Sequence, residues 1–308
     1  MKFSHYPVMK TEIIQSLNIE PDRVYCDLTL GGGSHAYEIA KQLKRGFLIA
    51  VDRDAEAIEY SREKLKEYKD KIFFVKSNYV DIKSIAKNLG FEKIGGAIMD
   101  LGVSTHQIET SRGFSYIKDS VLDMRMDQDQ ATTAADVVNR MDPSKLKEIL
   151  YTYGEERHAD LIVRTIVQKR QEKPIKTTLE LVDAIKYALR NIRYTGGNPA
   201  KRTFQAIRIF VNREIENIEP TLDFVEDMLE SGGRLAVISF HSGEDREVKR
   251  AFVKYEKNCV CPPGFPVCVC GKKATSKIIT KKPILPGREE IEINPPSASA
   301  KLRVLEKL

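Results

Sequence analysis

Along this chain, short blocks of consecutive apolar residues alternate with stretches whose apolar residues recur every three or four positions. The blocks run from Val24 to Leu30, Phe47 to Val51, Ile72 to Val75, Ile94 to Met99 and Leu235 to Phe240, and each stops on a glycine or a polar residue. Blocks this short and this predominantly apolar read as strands buried on both faces. Between them lie helical stripes: Ile39, Ala40 and Leu43; Ile58, Ser61, Leu65 and Tyr68 within Ala55 to Tyr68; then Ile82, Ile85, Ala86 and Leu89, stopped by Gly90. Strands alternating with helices predict an α/β fold, a parallel sheet with helices on both faces. A lead-in helix, Val8 to Leu17, precedes Pro21.

From about Thr105 the rhythm changes. Residues 113–116 and 122–127 read as irregular, polar-rich loop, and Asp142-Pro143 is a cap followed by a first-turn proline. Helices are predicted at 143–152, 155–171, 178–192 and 200–217, so residues 108–216 read as an inserted all-helical domain. The first pattern resumes with a helix at 219–230 and Gly232-Gly233, the strand Leu235 to Phe240, and a helix at 244–256 with Val248, Phe252 and Tyr255 inward. Ile278 to Lys281 and Lys301 to Glu306 are the candidate closing strands, giving a sheet domain made of residues 1–107 and 217–308.

Chemistry enters first at Gly31-Gly32-Gly33-Ser34-His35, directly after the first strand. Glycines there allow positive φ and close approach of a ligand. Asp52 ends the second strand about 20 residues on, where a carboxylate can accept both hydroxyls of a ribose. Gly31-x-Gly33-x-x-Ala36 suits a dinucleotide, and it suits S-adenosylmethionine equally. Ligands of such sheets lie beyond the carboxyl ends of the strands, where Gly31, Asp52, Tyr79 and Asp100 are expected to converge.

The chain has 308 residues, 42% hydrophobic and 31% charged, enough for one large domain or two unequal ones. No apolar run approaches a membrane span and Met1-Lys-Phe-Ser lacks a signal-peptide core, so a cytoplasmic protein without membrane contact is expected. Net charge is +6, unevenly spread: residues 157–213 hold 13 Lys or Arg against 4 Asp or Glu, a local +9, leaving −3 elsewhere. A basic segment in a mildly acidic chain is the pattern of a nucleic-acid footprint, or else of ordinary solvated helix faces.

Beyond these features the chain resembles the MraW/RsmH family, S-adenosylmethionine-dependent methyltransferases that modify a cytosine N4 of small-subunit (16S) ribosomal RNA. The resemblance spans nearly the whole length: His5-Tyr6-Pro7-Val8, the glycine loop through His35, Val51-Asp-Arg-Asp, Met99-Asp-Leu-Gly-Val-Ser-Thr, Arg112-Gly-Phe-Ser, Leu122-Asp-Met-Arg-Met-Asp, Tyr153-Gly-Glu-Glu, Arg202-Thr-Phe-Gln-Ala-Ile-Arg-Ile, Ile238-Ser-Phe-His-Ser, Glu244-Asp-Arg and the tail Ser299-Ala-Lys-Leu-Arg. It implies a Rossmann-like class I methyltransferase sheet carrying the helical insertion as an RNA-recognition domain. It also implies S-adenosyl-L-methionine as cofactor, with contacts at Gly33, Ser34, His35, Asp52, Tyr79, Asp100 and Gln107. Departures fall at Ser34 and Ala36, where the family usually has glycine and serine, at Gly243, a usual leucine, and at Pro296 and Ala298, usual arginines.

A sulfonium methyl is already activated, so the enzyme must chiefly hold donor carbon and acceptor nitrogen in line. A cytosine amino nitrogen is a poor nucleophile whose N–H needs an acceptor. Asp100 and the carbonyls beside it are candidates, with holding the cofactor as the competing role. His241 is the second catalytic candidate, against a structural role. Carbon-5 methylation would need a cysteine nucleophile, and Cys26 lies inside a strand, facing the core. Cys259, Cys261, Cys268 and Cys270 form two Cys-x-Cys pairs that could close a zinc site, but the usual spacing is Cys-x-x-Cys; reduced loop cysteines are the preferred reading, disulfides the least, and no metal is assigned. Lys201, Arg202, Arg208 and Arg213 are candidates for phosphate contact, or for pairing with Glu214 and Glu216. Phe114 and Tyr116 could stack on a flipped base or pack locally.

The reading is therefore a methyltransferase acting on a cytosine of small-subunit ribosomal RNA, free or in the assembled small ribosomal subunit. A homodimer stays open. The rivals are an NAD-dependent dehydrogenase using the same glycine loop and a non-catalytic RNA-binding assembly factor.

Overall fold

A computed structural model describes residues 7–192, 197–259, 261–262, 267 and 269–308. The chain folds as two compact units, residues 1–102 with 215–308, and residues 103–214.

The first unit contains, in chain order, α1 (Lys10–Leu17), β1 (Tyr25–Asp27), α2 (Ser34–Ala40), β2 (Leu48–Asp52), α3 (Ala55–Lys64), β3 (Ile72–Lys76), α4 (Ile82–Asn88) and β4 (Ile94–Asp100). The second unit holds α5 (Thr105–Glu109), α6 (Ala134–Arg140), α7 (Pro143–Gly154), α8 (Ala159–Glu172), α9 (Thr178–Ala188) and α10 (Ala200–Asn212). The chain returns to the first with α11 (Ile218–Met228), β5 (Leu229–Ser239), α12 (Ser242–Glu256), β6 (Ser276–Ile278), α13 (Arg288–Ile293) and β7 (Lys301–Lys307).

The seven strands form one sheet in the order β3-β2-β1-β4-β5-β7-β6. The first five run parallel, and β7 pairs antiparallel with both β5 and β6. This is the Rossmann-like α/β architecture expected. Alternate residues of each strand enter different cores: Ile49, Val51, Ala97, Met99, Leu235 and Val237 pack with α4, α11 and α12, whereas Leu48, Ala50, Ile98, Ala236 and Ile238 pack with α1, α2 and α3. Burial on both faces is why these strands appear as mostly apolar blocks rather than an alternation.

Several boundaries differ from expectation, each for a local reason. β1 is regular only to Asp27, whose Oδ1 accepts the Thr29 amide, although the Leu28 and Leu30 amides still donate to the Ile98 and Val51 carbonyls of the neighbouring strands. The helix after β2 ends at Lys64, and Lys66–Tyr68 is a separate 3-10 turn. β5 begins at Leu229, ahead of the expected Leu235, and takes in Gly232-Gly233 as an irregularity where the pairing with β4 shifts register between Ile94 and Gly96. A Cβ on Gly233 would lie 2.9 Å from the Glu230 carbonyl oxygen and 3.0 Å from that of Gly95, so the bulge needs glycine. β6 ends at Ile278, earlier than predicted, and Thr280 Oγ1 then accepts the Val304 amide.

The second unit has its own apolar core, drawn from α6 to α10 and from Phe114, Leu122, Met124 and Met126 of the long loop. No strand occurs among its described residues. α5 and α6 were not anticipated; both carry capping boxes, at Ser104/Gln107 and Thr133/Asp136. α10 ends at Asn212 rather than continuing to 217, because Arg213 turns left-handed with φ of 50°. Asn212 fastens the loop to this helix: its Oδ1 accepts the Met126 amide, and its Nδ2 donates to the Met124 and Arg208 carbonyls. Among the described residues no helix is long and apolar enough to cross a membrane.

Candidate functional site

In a sheet of this order the chain leaves β1 toward β2 on one side and reaches β4 on the other. That reversal opens a crevice beyond the carboxyl ends of β1 and β4. Four elements of the first unit meet there: the glycine loop after β1, and the tips of β2, β4 and β5.

The glycine loop is fastened from below. Gly31 and Gly33 have φ of +47° and +68°, a region that favours glycine. The Gly31 amide donates to Asp52 Oδ2 at 2.8 Å, and its carbonyl accepts Ser61 Oγ at 2.8 Å. Lys64 Nζ donates to the Gly32 carbonyl at 2.7 Å and to Ser34 Oγ at 3.0 Å. A Cβ on Gly33 would stand 2.8 Å from Ser61 Oγ, so α3 packs where only a glycine fits. The serine that departs from the family pattern at position 34 thus has a local partner.

Asp52 closes β2. Besides Gly31 it accepts the Asp54 amide on Oδ1 at 2.9 Å, and burial raises its pKa above the usual carboxylate range. The following Arg53 lies over the Tyr79 ring at 5.4 Å and donates to Asn78 Oδ1 at 3.3 Å, so Tyr79 is a buried member of the α4-side core at the edge of the crevice.

Asp100 ends β4, its amide hydrogen-bonded to Thr29 Oγ1 at 2.7 Å. Its carboxyl Oδ2 lies 3.8 Å from His35 Nε2, while Oδ1 is buried with no hydrogen-bond partner among the described residues. Burial, then the neighbouring carboxylates Asp27, Glu244 and Glu290, push its pKa to about 8. Asp27 itself is driven to about 7, chiefly by burial. Acids crowded this way, with a polar atom left unsatisfied, form a pocket that favours a cationic or hydrogen-bond-donating ligand.

His241 follows β5 and caps α12: its Nδ1 accepts the Gly243 and Glu244 amides at 3.2 and 3.4 Å. Glu244 reciprocates, its Oε2 accepting the Phe240 amide at 2.7 Å, and its Oε1 lies 3.2 Å from His241 Nε2. With Nδ1 accepting, the imidazole proton belongs on Nε2, facing Glu244.

The structure thus brings Gly33, Ser34, His35, Asp52, Tyr79, Asp100 and His241 into one unit. Gln107 belongs to the other unit, where its amide donates to Ser104 Oγ and its Oε1 accepts the Ser104 amide. Of the basic candidates, Arg208 makes a two-point ion pair with Glu214, both contacts 2.9 Å, so the intramolecular alternative is the one formed there. Arg202 donates to the Glu155 carbonyl at 3.3 Å and stays exposed, as does Lys201. Phe114 is buried in the helical core and Tyr116 meets Phe204 edge-on at 5.8 Å, which is local packing rather than an open stacking platform. His5 and Tyr6 of the amino-terminal motif lie outside the described residues.

Sequence reasoning missed Asp27, Lys64 and Glu244. Asp27 was detectable as an acid inside an apolar block. Nothing local distinguishes Lys64 from the other charged residues of its helix, because its contact lies far back in the chain, at Gly32.

Such a crevice, with a glycine loop at one strand tip and an acid at the next, defines a nucleoside-cofactor enzyme of the doubly wound class. Residues 2–308 match the MraW methylase family, and the chain belongs to that family of S-adenosylmethionine-dependent methyltransferases. Relatives called ribosomal RNA small subunit methyltransferase H include one from Lachnospira eligens, 49% identical over 100% of this chain and 99% of its own. One from Clostridium botulinum strain Kyoto is 50% identical over 100% of both chains, and one from Clostridioides difficile strain 630 is 49% identical over 100% of both. Membership in a methylase family selects the methyl donor over the nicotinamide that the glycine loop also suits.

Proposed function

We propose that this protein transfers the methyl group of S-adenosylmethionine to N4 of a cytosine in small-subunit ribosomal RNA, in the decoding region. The substrate class comes from the relatives, which are about half identical along the whole chain. The observation that carries the chemistry is the Asp100 carboxyl, buried at the tip of β4 with a pKa of about 8 and one oxygen that no described residue satisfies. The crevice fits the donor. Gly31 and Gly33 allow the backbone to approach it, Asp52 would hold the ribose hydroxyls, and the acidic pocket around Asp100 matches its positive charge. When bound, S-adenosylmethionine supplies a methyl group already activated by the sulfonium.

What remains for the protein is position and a proton. Asp100 holds its proton up to about pH 8 before the donor binds, the donor's positive charge would ionise it on binding, and the carboxylate so formed can accept a proton near neutral pH. Asp100 takes the N–H hydrogen of the incoming amino group, drawing the nitrogen lone pair out of the ring and toward the donor. Glu244 and His241 fix the backbone of the β5 tip and act as positioning residues. Cys26 is fully buried and burial raises its thiol pKa, which fits a reaction without a cysteine nucleophile. The net +9 of residues 157–213 supports an RNA-binding role for the helical unit.

Small subunits from cells lacking the protein, incubated with isotope-labelled donor and the purified enzyme, should gain one methylated cytidine by nucleoside mass spectrometry. Asp52→Ala should lose donor binding, and Asp100→Ala should lose transfer while RNA binding persists. Label appearing on carbon 5, or on no cytidine, would refute the assignment.

A further inference from the structure

The segment between α12 and β6 shows no core of its own among its described residues. Among its described residues none of the apolar side chains is buried, and Val267 and Val269 are 69% and 74% exposed. Its ends are tied by backbone contacts: the Ala274 amide donates to Asn258 Oδ1 at 2.9 Å and the Thr275 amide to the Tyr255 carbonyl at 3.0 Å. Yet between those ties the sulfurs of Cys259, Cys261 and Cys270 lie within 4.8 Å of one another. Cys259 and Cys270 approach to 3.8 Å, far longer than the roughly 2.05 Å of a disulfide. In a tetrahedron of sulfurs about 2.3 Å from a central zinc, the edge is about 3.8 Å. The Cys261 amide also donates to Cys259 Sγ at 3.4 Å, a contact that favours the thiolate form.

We infer that Cys259, Cys261 and Cys270 form a thiolate site for one zinc ion, which pins this segment to the end of α12. Three sulfur donors within 4.8 Å of one another, one pair at the tetrahedral edge length, select zinc over oxygen-seeking cations. Each thiol gives up its proton to solvent as its Zn–S bond forms, so affinity falls as pH is lowered. Cys268 lies outside the described residues and the assignment does not use it. The Cys-x-Cys spacing that argued against a zinc knuckle is accommodated because the chain returns at Cys270, so the third donor comes from across the segment.

The test is metal content by plasma mass spectrometry of protein purified without chelator, followed by chelator stripping and titration with cobalt(II) alone. One zinc per chain is expected, and the stripped protein should give thiolate-to-cobalt charge-transfer absorption with intense tetrahedral ligand-field bands. Cys259→Ser, Cys261→Ser and Cys270→Ser should each lose the zinc, while S-adenosylmethionine affinity by calorimetry stays unchanged, which shows that the sheet is still folded. No metal, iron in place of zinc, cobalt spectra without thiolate bands, or full zinc retained in all three variants would overturn the site.

Discussion

Replacing Asp100 by asparagine tests the acidic pocket directly. The folded protein holds a proton on Asp100 up to about pH 8, against an ordinary 3.8 once unfolded. Between those values the native state binds more protons than the unfolded chain, so raising the pH favours unfolding. The stabilisation from each such carboxyl is fully present below the unfolded pKa. It is lost at about 1.4 kcal/mol per pH unit as pH climbs to the folded one. Asp27, at about 7, acts in the same direction. Acids whose pKa is lowered, such as Glu180 at about 2, are ionised in both states above pH 5 and contribute little slope there. Urea denaturation at pH 5, 6 and 7 should therefore show wild-type stability falling with pH. The carboxamide of Asp100→Asn is neutral throughout, so the variant's slope should be shallower by about 1.4 kcal/mol per unit, a divergence of roughly 3 kcal/mol across the window. The same proton must leave when a cation binds, so wild-type affinity for S-adenosylmethionine should rise with pH, by up to about tenfold per unit until the folded pKa is reached, and stay flat in Asp100→Asn. Equal slopes for the two proteins in both assays would mean that Asp100 is ionised at neutral pH and that the crevice is not the cation pocket described.

Gly33→Ala should destabilise the protein by on the order of 1–3 kcal/mol in urea denaturation, because its φ is +68° and the new methyl would meet Ser61 Oγ at 2.8 Å. Asn212→Ala removes three hydrogen bonds to backbone groups at Met124, Met126 and Arg208, and a loss of about 2–4 kcal/mol is expected by the same measurement. Lys201→Ala with Arg202→Ala should weaken RNA binding and reduce the slope of log affinity against log salt by up to about 2 in filter binding, whereas Arg208→Ala should act mainly through stability because Glu214 already occupies it.

Much of the first unit could be read locally. A strand buried on both faces needs a short apolar block, and a parallel neighbour needs a helix between, so the first five strands, their order of appearance and the glycine loop with its acid were all visible in the linear pattern. Cys26 sits inside such a block, and its burial followed. The limits lay where partners come from far along the chain. The start of β5 looked like Leu235, and only pairing with β4 carries the strand back through Gly232-Gly233 as a bulge. Whether Arg208 meets phosphate or Glu214 depended on the chain reversing after Asn212, at a left-handed residue that no periodicity signals.

The amino-acid sequence alone determined the class of fold, the loop that admits a nucleoside cofactor and the family, because those rest on residue types at short, fixed spacings. Tertiary structure decided the electrostatics. Asp27, Asp100 and Glu244 stand far apart along the chain and carry ordinary carboxyls when it is unfolded. The raised affinity of Asp27 and Asp100 for protons exists only where β1, β4 and the β5 tip exclude water and crowd the acids together. The same holds for the three cysteines, whose sulfurs reach metal-binding distance across a segment whose described apolar side chains are not buried.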